Sequence, residues 1–153
     1  MSLVGKVAPG FELFNQARTA VSLASLRGQK VVLAFYPAAF TGVCEKEMCS
    51  FRDHMGKLNA ANAVVLGISV DSPFANAAFA KQTGATFSLL SDLDASVVKA
   101  YGVAIENFAG VTGYTASNRA VFVVGPEGEI TWEWIAPNPG HEPDYAAVLA
   151  AVA

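Results

Sequence analysis

The stretch KVVLAFYPAAFTGVCEKEMC, residues 30–49, decides the fold that we predict for this chain. Its first part, Lys30–Tyr36, is a continuous β-branched and apolar run, which is typical of a central strand buried on both faces. Pro37 ends this run because proline has no N–H to donate to a β-ladder. From Thr41 to about Asn59 the spacing of apolar residues predicts a helix, with Thr41 as the candidate N-cap. The stretch therefore predicts a buried strand, a short loop and a helix that starts beside a cysteine.

Segments of strand and helix character alternate along the rest of the chain. The predicted strands are Phe11–Phe14, Ala20–Leu23, Ala63–Val70, Phe87–Leu90, Arg119–Val124 and Glu129–Ile135, and the predicted helices are 72–84, Asp94–Tyr101 and Pro143–Val152. The first two strands and the last two form hairpins, and Glu106–Asn118 is predicted to be an irregular loop. This order predicts an α/β domain with a mixed central sheet and flanking helices.

Composition limits the classes of function. The chain has 153 residues, of which 53% are hydrophobic and 15% charged, and we expect residues 1–153 to form a single domain. The net charge of −3 without a basic block argues against nucleic-acid binding. No apolar run approaches the ~20 residues of a membrane span. The N-terminal sequence lacks the basic and then apolar pattern of a secretory signal, so we expect a cytoplasmic location and no membrane partner.

The two cysteines lie close together, at Cys44 and Cys49. A disulfide scaffold would use more cysteines, spread along the chain. In a reducing compartment a close pair favours redox chemistry or a metal site. A lone cysteine is more often a small buried hydrophobe. However, a thiol on the first turn of a helix gains from the free N–H groups and the helix dipole, which stabilise the thiolate and lower the pKa. Cys44 is therefore the candidate nucleophile.

Three residues around this cysteine form a pattern. Pro37, Thr41 and Cys44 are spaced as Pro-x-x-x-Thr-x-x-Cys, which resembles the active-site signature of the peroxiredoxins. The similarity continues through VGKVAPGFEL, FRDHMGKLNAANAVVLGISVDSP, FSLLSD and NRAVFVVGPEGEI, and so covers nearly the whole chain. The resemblance implies a thioredoxin-like fold with a mixed central sheet, flanking helices and an N-terminal β-hairpin extension. It also implies a hydroperoxide substrate.

The resemblance further implies a role for each residue of the site. Cys44 is expected to be the peroxidatic cysteine, which attacks the peroxide and becomes a sulfenic acid. Thr41 and Arg119 are expected to orient the peroxide. The backbone N–H groups of Val43 and Cys44 would assist them, and Pro37 would shield the sulfur. Because the redox chemistry takes place at sulfur, we expect no cofactor.

Glu47 matches a glutamate that often lies three residues after the peroxidatic cysteine in this family, where it helps to hold the arginine. Read from the sequence alone, Glu47 is equally well a surface residue in the first turn of a helix. Arg119 alone would be interpreted as a strand-edge surface residue, and only the resemblance favours the site.

The Cys44-x-x-x-x-Cys49 spacing resembles the PrxQ or bacterioferritin comigratory protein subgroup, in which the second cysteine resolves the sulfenic acid. Five helical residues rise about 7.5 Å and turn about 140° beyond a full circle. Since disulfides need Cα atoms within ~7 Å, the bridge requires the helix to unwind.

The subgroup suggests thioredoxin, or a similar thiol, as the reductant. The sequence also resembles one-Cys relatives of the AhpE type, in which Cys49 would be a bystander.

The sequence is compatible with three other functions. A thioredoxin-like disulfide oxidoreductase would be expected to carry Cys-x-x-Cys, which this spacing disfavours. A metal-binding module on Cys44, Cys49 and His54 lacks a fourth ligand and a common helical face. A redox-silent binding domain on the same fold is the third. The sequence leaves open whether the protein is a monomer or a homodimer.

Overall fold

A seven-stranded mixed sheet organises the protein in the computed structural model, which describes residues 2–153. The strands are β1 (Glu12–Phe14), β2 (Ala20–Ser22), β3 (Lys30–Phe35), β4 (Ala63–Ser69), β5 (Ser88–Ser91), β6 (Ala104–Ile105), β7 (Ala116–Ser117), β8 (Ala120–Val124) and β9 (Ile130–Ile135). The helices are α1 (Gly42–Asp53), α2 (Met55–Ala60), α3 (Pro73–Thr83), α4 (Ser96–Ala100) and α5 (Tyr145–Val152).

The order of strands in the main sheet is β2-β1-β5-β4-β3-β8-β9. Strands β3, β4 and β5 are parallel, whereas β8 and β9 are antiparallel additions on one side and the β1–β2 hairpin is an antiparallel addition on the other. The predicted α/β class, mixed sheet, flanking helices and N-terminal hairpin are therefore confirmed. None of the helices in residues 2–153 has the length and apolarity needed to span a bilayer.

Strand β3 is continuously apolar because it contributes to a core on each face of the sheet. Val31, Leu33 and Phe35 belong to one buried cluster, and Val32 and Ala34 belong to the other. All five residues are at most 1% exposed. Complete burial of each valine, leucine or phenylalanine side chain contributes roughly 1.5–3 kcal/mol to the free energy of folding. This double burial fixes the strand that leads into the candidate site.

The predicted helix from Thr41 to Asn59 is in fact two helices, α1 and α2, separated at His54. His54 leaves the helical region, with φ −98° and ψ 3°. Its ring Nδ1 donates to the Ser50 carbonyl at 2.6 Å, in addition to the backbone bond from the His54 N–H to the same oxygen. The side chain thus draws the backbone into a turn, which ends α1 and lets α2 begin at Met55. Apolar periodicity continues through the break, so it does not reveal it.

Two smaller predictions also need correction. The segment Glu106–Asn118, predicted to be irregular, contains strand β7, which pairs with β6 in a separate two-stranded sheet. Strands of two residues are too short to show alternation. The helix predicted for Asp94–Tyr101 spans only Ser96–Ala100. Asp94 precedes the helix, and the Asp94 Oδ1 accepts the N–H of Ser96, the first helical residue, at 3.0 Å.

Candidate active site

Cys44 lies beyond the C-terminal end of β3, on the first turn of α1. The first backbone bond of this helix runs from the Glu45 N–H to the Thr41 carbonyl at 3.0 Å. The N–H groups of Val43 and Cys44 precede that bond, and N–H groups in this position have no acceptor within their own helix. Cys44 itself is fully buried, at 0% exposure. The predicted position of the cysteine at a helix N-terminus is confirmed.

Arg119 contacts the sulfur of Cys44. Its Nη2 donates to Cys44 Sγ at 3.1 Å, its Nη1 donates to Glu47 Oε1 at 2.9 Å, and its Nε donates to the Pro139 carbonyl at 3.1 Å. The side chain is nearly inaccessible, at 1% exposure of the residue. Arg119 directly precedes β8, and β8 pairs with β3. The sheet therefore brings the guanidinium to a cysteine 75 residues away in sequence.

Glu47 is buried and faces the guanidinium, so the surface interpretation of this residue is wrong. Its Oε1 pairs with Arg119, while its Oε2 has no hydrogen-bond partner within residues 2–153. Burial raises the pKa of Glu47 to about 7, although the Arg119 guanidinium acts in the opposite direction. Burial alone would lower the pKa of Arg119, but Glu47 and Cys44 beside it raise that pKa, so the guanidinium stays charged.

Thr41 and Pro37 lie on the loop that joins β3 to α1. Thr41 occupies the N-cap position, with φ −85° and ψ 145°, as predicted. Its exposed hydroxyl donates to the Ala38 carbonyl at 3.0 Å and, within residues 2–153, caps no N–H group of α1. Pro37 is buried and is the second residue after β3. The loop thus carries the Thr41 hydroxyl and the Pro37 ring in the segment that leads from β3 to the N-terminus of α1.

Cys49 points to a different neighbour. It is half-buried, and its Sγ lies 3.8 Å from the carbonyl oxygen of Thr83 at the end of α3. Both cysteines belong to the intact helix α1, and both are free. Cys44 faces Arg119 while Cys49 faces α3, as the helical spacing predicts.

Asp71 and Asn76 also belong to the surroundings of the site, and the sequence analysis missed them. Asp71 Oδ2 accepts the Ala39 N–H at 2.8 Å and the Ser69 hydroxyl at 2.8 Å. Asn76 Oδ1 accepts the buried Tyr36 hydroxyl at 2.7 Å. The sequence does contain one signal for Asp71. It follows β4, a parallel strand next to β3, and functional sites form at the carboxyl ends of such strands.

The arrangement supports nucleophilic chemistry at sulfur. A buried thiol touches an always-charged guanidinium and lies at the positive end of a helix. The part of the chain that the structure describes contains no group of three or more His, Cys, Asp or Glu side chains that could hold a metal ion. The alternative metal site on Cys44, Cys49 and His54 therefore finds no ligand cluster there.

Comparisons with known proteins agree with this geometry. The AhpC/TSA family model matches residues 4–133. Peroxiredoxin Bcp of Escherichia coli is 39% identical over 127 residues, which cover 82% of this chain and 81% of the relative. The crystal structure of peroxidoxin BcpB from Mycobacterium tuberculosis superimposes with a TM-score of 0.87 at 29% identity, covering 99% of this chain and 97% of that chain.

Peroxiredoxin Q of Xanthomonas campestris has a TM-score of 0.81 at 30% identity, and the match covers 93% of this chain and 89% of that chain. The neighbours confirm the predicted thioredoxin-like fold and the similarity to the PrxQ and Bcp subgroup. The extent of the family match, together with the identity to the Escherichia coli relative, shows that the chain belongs to the AhpC/TSA family and is a peroxiredoxin enzyme.

Proposed function

We propose that this peroxiredoxin reduces hydrogen peroxide and organic hydroperoxides through a sulfenic acid at Cys44. The observation that carries the proposal is the 3.1 Å contact between Arg119 Nη2 and Cys44 Sγ, which belong to two buried residues. A fixed guanidinium beside a thiol stabilises the thiolate, which is the nucleophilic form. Glu47 is a positioning residue in this proposal, because its buried carboxylate holds the guanidinium in place.

The first step forms one bond and breaks one. The Cys44 thiolate attacks one peroxide oxygen, the O–O bond breaks, and the other oxygen leaves as water or an alcohol after taking up a proton. Negative charge grows on that leaving oxygen, so hydrogen-bond donors aimed at it lower the barrier. Thr41, Arg119 and the N–H groups of Val43 and Cys44 are the donors we assign. Pro37 keeps bulk water away from the sulfur.

The second step consumes the sulfenic acid. The Cys49 thiol attacks the Cys44 sulfur, a Cys44–Cys49 disulfide forms, and the hydroxyl of the sulfenic acid leaves as water. A dithiol such as thioredoxin then reduces the disulfide with two electrons and two protons. We place this cycle in the cytoplasm, where thioredoxin keeps thiols reduced. Because Cys49 contacts Thr83 and lies on intact α1, the first turns of α1 must unwind before the bridge can form.

Turnover assays with matched cysteine variants test the cycle. Hydrogen peroxide and cumene hydroperoxide would be supplied with thioredoxin, thioredoxin reductase and NADPH. Cys44→Ser is expected to lower turnover by at least about 1,000-fold, as the loss of a nucleophile does. Cys49→Ser is the matched control, and it should lose thioredoxin-driven turnover but still consume one equivalent of peroxide.

Two results would contradict these assignments. Turnover that persists in Cys44→Ser would exclude Cys44 as the reacting thiol. Full thioredoxin-driven turnover in Cys49→Ser would make this a one-Cys enzyme, in which an external thiol attacks the sulfenic acid directly.

A further inference from the structure

Asp71 lies outside the motif that carries the chemistry, yet it bonds to the loop that holds that motif. It follows β4 by two residues, at the carboxyl edge of the sheet beside the end of β3. Its Oδ2 accepts the backbone N–H of Ala39 at 2.8 Å. Ala39 lies midway in the segment 37–41, which we call the Pro–Thr loop. This bond therefore links the loop before α1 to the neighbouring strand.

The carboxylate of Asp71 is itself held in place. Ser69 Oγ donates to Asp71 Oδ2 at 2.8 Å and accepts the Asp71 N–H at 3.2 Å. Asn76 Nδ2 donates to the same Ser69 Oγ at 3.4 Å, and Ser69 and Asn76 are both fully buried. Asp71 is thus the partly buried end of a polar network whose other members are inside the protein. Such networks fix one arrangement of their members.

The Pro–Thr loop needs an anchor because its backbone is strained. Phe40 has φ +67°, in the left-handed region that bulky side chains avoid. Strain of this kind persists only where the surroundings enforce it. The bond from the Ala39 N–H precedes Phe40, and the Thr41 hydroxyl bond to Ala38 follows it. Packing of the Phe40 ring on Phe79, at 5.4 Å between centroids, adds a third restraint.

The charge of Asp71 does not explain its presence here. Desolvation raises the pKa of Tyr114, and both Asp71 and Cys44 raise it further, so the two acidic groups lie near the same ring. Within residues 2–153, Asp71 forms no salt bridge. What the carboxylate contributes is an acceptor at a fixed position.

We infer that Asp71 is a positioning residue for peroxide reduction, since its Oδ2 fixes the Ala39 N–H and with it the loop that presents Thr41 to the peroxide. The inference rests on the proposed peroxidase function. It predicts that loss of the acceptor slows attack on peroxide without removing the thiolate. Misplacing a reacting group by about 1 Å can cost up to ~100-fold in rate.

The test separates position from charge with three variants of the full chain. Asp71→Ala and Asp71→Leu remove both charge and acceptor, and Leu keeps the side-chain volume, so that a folding failure of one variant leaves the other. Asp71→Asn removes the charge but keeps an oxygen that can accept from Ala39 and Ser69. Each protein would be mixed with hydrogen peroxide in stopped flow, and alkylation of Cys44 by iodoacetamide would be measured in parallel.

We expect the peroxide rate constant to fall about tenfold or more in Asp71→Ala and Asp71→Leu. In Asp71→Asn it should stay within about threefold of wild type. Alkylation should be unchanged in all three variants, since none of them alters the Cys44 thiol or its Arg119 partner. Equal peroxide rate constants in Asp71→Ala and Asp71→Asn would overturn the role of Asp71, and so would a parallel loss of peroxide reduction and alkylation. A wild-type Cys44 that does not react with peroxide would instead overturn the peroxidase function itself.

Discussion

At the scale of single residues, Arg119 is the side chain that contacts the reactive sulfur, its neighbouring carboxylate and the backbone together. Its fork of N–H donors reaches the Cys44 sulfur, the Glu47 carboxylate and the Pro139 carbonyl at the same time. A buried guanidinium is costly unless it is paired and hydrogen-bonded, and here each of its three nitrogens has a partner. The ion pair with Glu47 therefore serves to orient the guanidinium toward the sulfur.

Arg119→Lys tests this geometry. Lysine keeps the charge but cannot donate in a planar fork to three acceptors. We expect the rate constant of Cys44 oxidation by hydrogen peroxide to fall roughly 100-fold, as when one fixed donor to a transition state is lost. Stopped-flow tryptophan fluorescence would measure it, with Arg18→Lys as the control, since Arg18 lies at the surface with its guanidinium over the Phe74 ring. A wild-type rate in Arg119→Lys would show that charge alone is sufficient.

The pH dependence of stability tests the burial of Glu47. Its pKa of about 7 in the folded protein exceeds its ordinary value of 4.5, because burial disfavours the carboxylate. The folded state then retains a proton that the unfolded state releases, so stability falls as pH rises from about 4.5 to about 7. Glu47→Gln does not titrate. We expect wild type to lose about 2–3 kcal/mol more than Glu47→Gln between pH 5 and pH 8 in urea unfolding. Equal losses in both proteins would remove Glu47 as the cause.

At the scale of elements, α1 has to be stable enough to form the site and weak enough to unwind. Its first turn is tied to α3 by a bond from Gln82 Nε2 to Glu45 Oε1 at 2.6 Å. Its far end is tied to the same helix by a bond from Arg52 Nη1 to the Thr83 carbonyl. Unwinding that brings Cys44 to Cys49 must release the first of these ties, whereas the second can remain.

Gly42→Ala is expected to slow resolution. A Cβ at Gly42, the first residue of α1, would meet no atom within 4 Å, so alanine fits there. Alanine stabilises a helical position by roughly 0.5–1 kcal/mol relative to glycine. The rate of Cys44–Cys49 disulfide formation should fall about two- to fivefold, and more Cys44 should reach the sulfinic acid in excess peroxide. Mass spectrometry after rapid quenching would measure both.

Gly56→Ala is the matched control, because Gly56 lies in α2 and a Cβ there also meets nothing within 4 Å. An equal effect in both variants would contradict local unwinding at the start of α1.

The sequence predicted those elements whose signals are local. Lys30–Tyr36 is recognisable as a strand because both of its faces are buried, and Thr41 marks the start of α1 because its backbone is extended before the helix. The break at His54 was missed because a ring-to-carbonyl bond, rather than composition, causes it. Asp71 was missed because its partner Ala39 is brought near only by strand pairing. Arg119 was found through the family resemblance.

At the scale of the whole molecule, the two buried clusters share the strands of one sheet. Residues of β3 and β8 alternate between the clusters, with Phe122 in one and Val121 and Val123 in the other. Trp132 and Trp134 pack against the second cluster from the same face of β9. A chain built in this way is expected to unfold as one cooperative unit.

Phe122→Ala tests this cooperativity. Removing a fully buried phenylalanine should cost about 3–5 kcal/mol. Because Phe122 lies in the cluster that does not contain the tryptophans, an equal shift of the urea midpoint by tryptophan fluorescence and by far-UV circular dichroism would indicate one unit. Phe74→Ala, at an exposed site, should change stability by less than about 0.5 kcal/mol. A fluorescence transition that does not move in Phe122→Ala would indicate two independently unfolding parts.

The central claim is that Cys44 is the sulfur that peroxide oxidises and Cys49 the one that resolves it. One equivalent of hydrogen peroxide added to reduced protein, followed by mass-spectrometric mapping of the cysteines in wild type and in Cys49→Ser, tests it most directly. We predict a Cys44–Cys49 disulfide in wild type and a sulfenic acid at Cys44 in the variant. Sulfenic acid at Cys44 in both proteins would make Cys49 a bystander, and unmodified Cys44 in both would contradict the whole account.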